Sequence, residues 1–128
     1  MASDTIFALS SGRPPAAISV IRISGPDAIA AGERIAGPLP EARRAAVREL
    51  RNPASGDRLD EALVLRFDAP GSSTGEDIIE FQCHGGRAVV DAVLSALASV
   101  EGLREARPGE YRGGAPTQAQ LECMEGAA

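Results

Sequence analysis

Two stretches that alternate along the chain, AISVIRIS at residues 17–24 and IIEFQCH at residues 78–84, constrain what it can fold into more than anything else in it. A side-chain period of two commits both to strands. In the first, Ile18, Val20 and Arg22 share one face, and Ala17, Ser19, Ile21 and Ile23 the other. In the second, Ile79, Phe81 and Cys83 point one way, and Ile78, Glu80, Gln82 and His84 the other. Each strand runs into helix-start chemistry. SGP closes the first: Ser24 or Gly25 can cap, Pro26 suits a first helical turn, and a helix is expected through DAIAAGERIA to Gly37-Pro38. HGG closes the second. A helix over GGRAVVDAVLSALASV follows, with Val90, Val93, Leu94 and Leu97 at helical spacing as its core face.

The other segments fit around these two strand–helix units. DTIFAL at 4–9 reads as a short strand and SSGRPP at 10–15 as a turn. Residues 38–45 read as loop. AVRELRN at 46–52 is a weak strand, which the NPASGDR turn folds back against EALVLRF at 61–67. DAPGSSTGED at 68–77 is a long loop in which Glu76 and Asp77 cap or order the approach to the next strand. LREARPGEY at 103–111 is a last short strand. The order β-β-α-β-β-β-α-β mixes hairpins with crossovers. The expected fold class is therefore α+β, a mixed β-sheet with two or three helices, not a doubly wound parallel sheet. Residues 112–128 have little periodicity and no strong caps, and read as a frayed tail or weak helix.

A chain of 128 residues fits one domain that can bury a core without disulfides or metals. Aromatic residues make up only 3% and tryptophan is missing, so that core must be built from Ala, Val, Ile and Leu. A formal charge of −5 argues against unaided binding to a nucleic-acid backbone. Every basic residue is arginine, which is read as coding bias in a GC-rich genome. Arg43, Arg44, Arg48 and Arg51 cluster, but Glu41 and Glu49 intersperse them, as on a solvated face. Cys83 and Cys123 lack the CxxC spacing of a metal or redox site. With no leader pattern and no apolar run of membrane-spanning length, the expectation is a cytoplasmic chain with reduced thiols and no membrane contact.

The polar residues around 75–86 leave alternatives open. In His84-Gly85-Gly86, the glycines allow a backbone to approach a ligand, and free N–H groups at a helix start favour anions. The plainer reading is a tight turn with a capping histidine. Glu80 faces either solvent or a pocket; in a pocket it needs partners, since desolvating a carboxylate is costly. A planar donor pair, such as the amidine-like edge of a pterin or guanine ring, would meet it bidentately. Arg22 suits a ligand carboxylate or a salt bridge. Taken singly, Arg22 and Glu80 each read more simply as residues of an exposed face. The chain contains no GxxxxGK[ST], HExxH or GxSxG, and one histidine with two distant cysteines makes zinc a poor reading. Cys83 and His84 are strand neighbours and point to opposite faces, which argues against a nucleophilic pair. No GTP or metal site is expected.

Three motifs in order, DTIFALSSGRPPAAISVIRISGPDA, TGEDIIEFQCHGG and ARPGEY, closely resemble the N-terminal domain of the tRNA modification GTPase family called MnmE or TrmE. The resemblance covers residues 4–111, and implies a domain at 1–111 followed by an atypical tail at 112–128. It also implies a fold like the folate-binding domain of glycine-cleavage aminomethyltransferases, a bound tetrahydrofolate derivative of the 5-formyltetrahydrofolate kind, and homodimerisation. In that family the intact protein adds a helical domain with an inserted GTPase domain. Together with the flavin- and NADH-dependent partner MnmG (GidA), it modifies the wobble uridine of certain tRNAs at C5, and the folate supplies the one-carbon unit. This domain would meet tRNA only indirectly. Matched by motif, Arg22 of VIRISG and Glu80 of EDIIEF fall to the folate site: Glu80 for the donor edge of the pterin, Arg22 for a carboxylate or the formyl region. His84, Gly85 and Gly86 would shape the pocket wall, and Glu110 of RPGEY is a further candidate. No catalytic residue is assigned.

After RPGEY the family continues with a threonine and basic residues, then an Ala-rich helix. RGGAPTQAQLECMEGAA departs from that pattern, and Cys123 does not match the family's C-terminal cysteine motif. The expectation is a truncated or frame-shifted product whose family sequence ends near Tyr111. The alternatives are a stand-alone aminomethyltransferase-like one-carbon enzyme, or a non-catalytic interaction fragment that pairs with a full-length homologue.

Overall fold

The computed structural model describes residues 4–11, 17–72 and 74–107. Its elements are β1 (Thr5–Leu9), β2 (Ile18–Ser24), α1 (Ala28–Ala36), β3 (Ala45–Arg51), β4 (Arg58–Phe67), β5 (Ile78–His84), α2 (Arg87–Ala98) and β6 (Leu103–Glu105). The strands form one six-stranded sheet in the order β3-β4-β5-β2-β1-β6. Four pairings are antiparallel and β1–β6 is parallel, so the fold is α+β with a mixed sheet and two helices, as the sequence predicts.

Alternation decides which face each helix covers. Phe7, Ile21, Ile23, Val64, Ile79, Phe81 and Cys83 share one face of the sheet. Ala28, Ala31 and Ile35 of α1 pack on it, as do Val90, Val93 and Leu97 of α2. Each large side chain buried there contributes roughly 1.5–3 kcal/mol. The opposite face carries Arg22, Ser24, Ile78, Glu80 and Leu65, which the strand register brings side by side, and it meets no helix among the described residues.

The helix starts differ from the sequence expectation. The first helix begins at Ala28 with Asp27 as N-cap, and no side chain caps it. Ser24 is not available as a cap because its hydroxyl lies 3.0 Å from the Thr74 hydroxyl. Gly25 instead makes a bend at φ +142°, an angle that L side chains rarely adopt, and Ala28 N–H donates to its carbonyl. Asp27 N–H donates to Thr5 Oγ1 at 2.9 Å. Gly86 is the N-cap of α2, also without a side-chain cap, so Gly85 and Gly86 precede the helix. The strand expected at 61–67 starts three residues earlier, at Arg58, and the β3–β4 ladder shifts register between Leu50 and Arg51. Strand β6 ends at Glu105; residues 108–111 of the segment expected there lie outside the described residues.

Candidate ligand-binding site

The centre of the sheet sets the site. In the β2–β5 ladder Arg22 is the cross-strand partner of Glu80, and Leu65 of β4 flanks Glu80 on its other side. Arg22 Nη2 donates to Glu80 Oε1 at 2.6 Å. The two side chains are only 5% and 4% exposed. Gln82 Nε2 donates to Glu80 Oε2 at 2.9 Å. The exposed-face reading of Arg22 and Glu80 is therefore corrected. Each supplies the charge that makes burial of the other tolerable.

The pair is incompletely satisfied. Arg22 Nε is buried and has no hydrogen-bond partner among the described residues, an omission that costs about 1–3 kcal/mol. Glu80 uses both carboxylate oxygens, yet each oxygen has a second lone pair. The pair can thus still donate at one atom and accept at others.

The loop between β4 and β5 is fastened beside this pair. The Thr74 hydroxyl meets that of Ser24, and Gly25 N–H donates to the Asp77 carbonyl at 3.0 Å. Asp77 Oδ1 accepts from Ala69 N–H at 2.8 Å, so Asp77 orders the loop as the sequence suggests. Ser72 Oγ donates to the Glu76 carbonyl, and Arg66 grips Asp68 through two hydrogen bonds.

His84 ends β5 with its side chain 70% exposed. It is not a helix cap. Its Nδ1 lies 2.7 Å from Asp60 Oδ1, and its backbone N–H donates to Asp60 Oδ2 at 2.8 Å. Gly85 is buried and Gly86 exposed between that clamp and α2. Asp60 was missed in the sequence. The available signal was an acid two residues before Ala62 and four before Val64, in phase with a buried apolar row. Cys83 sits on the helix-covered face with no exposed surface. Burial, and then the Asp60 carboxylate, push its thiol up from 9.0 to about 12, so it is a packed side chain. Glu110 lies outside the described residues.

The arginine cluster behaves as a solvated edge. Arg51 and Arg58 both contact Glu49, at 2.9 and 3.1 Å, and Arg48 Nε donates to the Pro38 carbonyl. Among the described residues, no helix is long and apolar enough to cross a membrane.

The family model described as "GTP-binding protein TrmE N-terminus" matches residues 5–116. A protein of Rhodopseudomonas palustris named tRNA modification GTPase MnmE is 53% identical over 121 residues, which is 94% of this chain and 27% of that protein. Its namesake in Erythrobacter litoralis is 52% identical over 122 residues, 95% of this chain and 28% of the relative. That of Zymomonas mobilis is 54% identical over 108 residues, 84% of this chain and 25% of the relative. The chain thus spans about a quarter of the length of these relatives.

Proposed function

The chain belongs to the family of the GTP-binding protein TrmE N-terminus, and from that membership we propose that it binds a tetrahydrofolate derivative on the sheet face that carries Arg22 and Glu80, and that it self-associates as a homodimer. The observation that carries the reading is the buried Arg22–Glu80 pair, whose Arg22 Nε has no partner among the described residues. Glu80 accepts from the donor edge of the pterin, and Arg22 Nε donates to a formyl or carboxylate oxygen. The ligand thereby fills the hydrogen bond that the described residues leave open. The setting is the cytoplasm and the modification of the tRNA wobble uridine at C5, carried out by a longer MnmE-type protein with an MnmG (GidA)-like flavoprotein. A net charge of −5 supports leaving direct tRNA contact to other parts of that assembly.

Calorimetric titration of the chain with 5-formyltetrahydrofolate tests the ligand. We expect saturable binding that Glu80→Gln abolishes, with the far-UV circular dichroism of the variant unchanged. A folded wild-type chain that takes up no 5-formyltetrahydrofolate would refute the reading. Sedimentation velocity tests the dimer, and a chain that stays monomeric at high concentration removes that half of the proposal.

A further inference from the structure

Gln82 lies two residues past Glu80 on β5, so strand alternation puts both side chains on the face that carries Arg22. The contact between them agrees: Gln82 Nε2 lies 2.9 Å from Glu80 Oε2. A carboxylate can only accept, so the amide nitrogen, and not the amide oxygen, faces Glu80. That one bond fixes which way the carboxamide is turned. Its Oε1 is directed away from the carboxylate with its lone pairs free of it.

Nothing beside Gln82 in the sheet uses that oxygen. Its cross-strand partners are Val20 on β2 and Leu63 on β4, whose side chains have no polar atom. Among the described residues, Gln82 Oε1 accepts no hydrogen bond. Gln82 is half-buried, next to the buried Glu80. The face therefore carries a charged acceptor and a neutral acceptor side by side, joined by a hydrogen bond, with the Arg22 guanidinium across from the charged one.

An amidine-like ring edge has three N–H bonds, one on the ring nitrogen and two on the amino group. A carboxylate meets two of them side by side: the ring N–H and the nearer amino N–H. The second amino N–H then needs an acceptor of its own, since a donor left unpaired on burial costs about 1–3 kcal/mol. We propose that Gln82 is a recognition residue for the amino group of the ligand. With Nε2 committed to Glu80, its Oε1 accepts the amino N–H that Glu80 does not reach. The site then selects planar heterocycles with an amino group beside a ring N–H. The proposal rests on the folate reading above for the identity of the ligand.

Calorimetry with two ligands separates recognition from stability: 5-formyltetrahydrofolate, and its analogue with a methyl group in place of the pterin amino group. Wild type should bind the amino compound more tightly than the methyl one. Gln82→Leu should weaken binding of the amino compound roughly tenfold more than that of the methyl compound. A Gln82 that only supports the fold or Glu80 would change both affinities by the same factor, or neither. Either result overturns the proposal while the folate reading stands. A second measurement needs no variant. In a carbon-13-labelled chain, the side-chain carbonyl carbon of Gln82 should shift on saturation with 5-formyltetrahydrofolate. Saturable binding that leaves it unmoved overturns the proposal, even if Gln82→Leu fails to fold. Absence of 5-formyltetrahydrofolate binding by the folded wild-type chain overturns both readings.

Discussion

Replacing Glu80 by alanine leaves the Arg22 guanidinium buried without its counter-charge. The Arg22 side chain is 5% exposed, and its contact with Glu80 is 2.6 Å long. Breaking such a pair by removing one partner costs roughly 3–5 kcal/mol. The total stability of a domain is only about 5–15 kcal/mol, so this is a large fraction of it. For a chain of 128 residues, an unfolding entropy of about 2.1 cal/mol/K per residue makes each kcal/mol worth about 4 °C. The expected fall in Tm is therefore about 11–19 °C. The chain has no tryptophan, so urea and thermal unfolding should be followed by far-UV circular dichroism. The decisive companion is Arg22→Met with Glu80→Leu. If the cost comes from an orphaned charge, that apolar pair regains most of the loss and abolishes folate binding. A Glu80→Ala chain within about 1 kcal/mol of wild type would refute the buried-pair reasoning. So would a double variant no more stable than the single one.

Cys83 gives a pH test. Its thiol is raised to about 12 in the folded chain, so the folded state keeps a proton that the unfolded state loses above its ordinary value of 9.0. The contribution is whole below pH 9 and declines as pH rises toward 12. Urea midpoints should therefore fall more steeply with pH for wild type than for Cys83→Ala, and parallel curves would contradict this. Gly25→Ala should destabilise by more than about 2 kcal/mol, because its Cβ would lie 2.6 Å from Thr5 Cα at a φ of +142°. Gly37→Ala meets no atom within 4 Å at a φ of +75° and should cost only about 1–2 kcal/mol; equal losses in chemical denaturation would refute the steric account. Val47→Lys, at a position 59% exposed on the edge strand β3, should change stability by less than about 0.5 kcal/mol. A larger shift in the urea midpoint would show that Val47 is covered in solution.

Much of the fold was legible because its signals are local. The period of two in IIEFQCH places β5 at its observed limits, Ile78–His84. The spacing of Val90, Val93 and Leu97 identifies the buried face of α2. Helix starts were less legible, because a cap is a competition for one oxygen. Ser24 had the right chemistry, but its hydroxyl is engaged by Thr74, fifty positions along the chain. The candidate site was legible as a set of residues and not as an arrangement. Arg22 and Glu80 taken singly look like exposed strand residues, and Asp60 gave no motif at all.

Residue identities by themselves determined the elements, their order, the mixed-sheet class and the family, since each is carried by short-range patterning or by matched motifs. Only the tertiary structure decided that Arg22 meets Glu80 across 58 positions and that Asp60 clamps His84 across 24. The Arg22–Glu80 contact depends on cross-strand register, and register is set by the packing of the opposite, apolar face under the two helices.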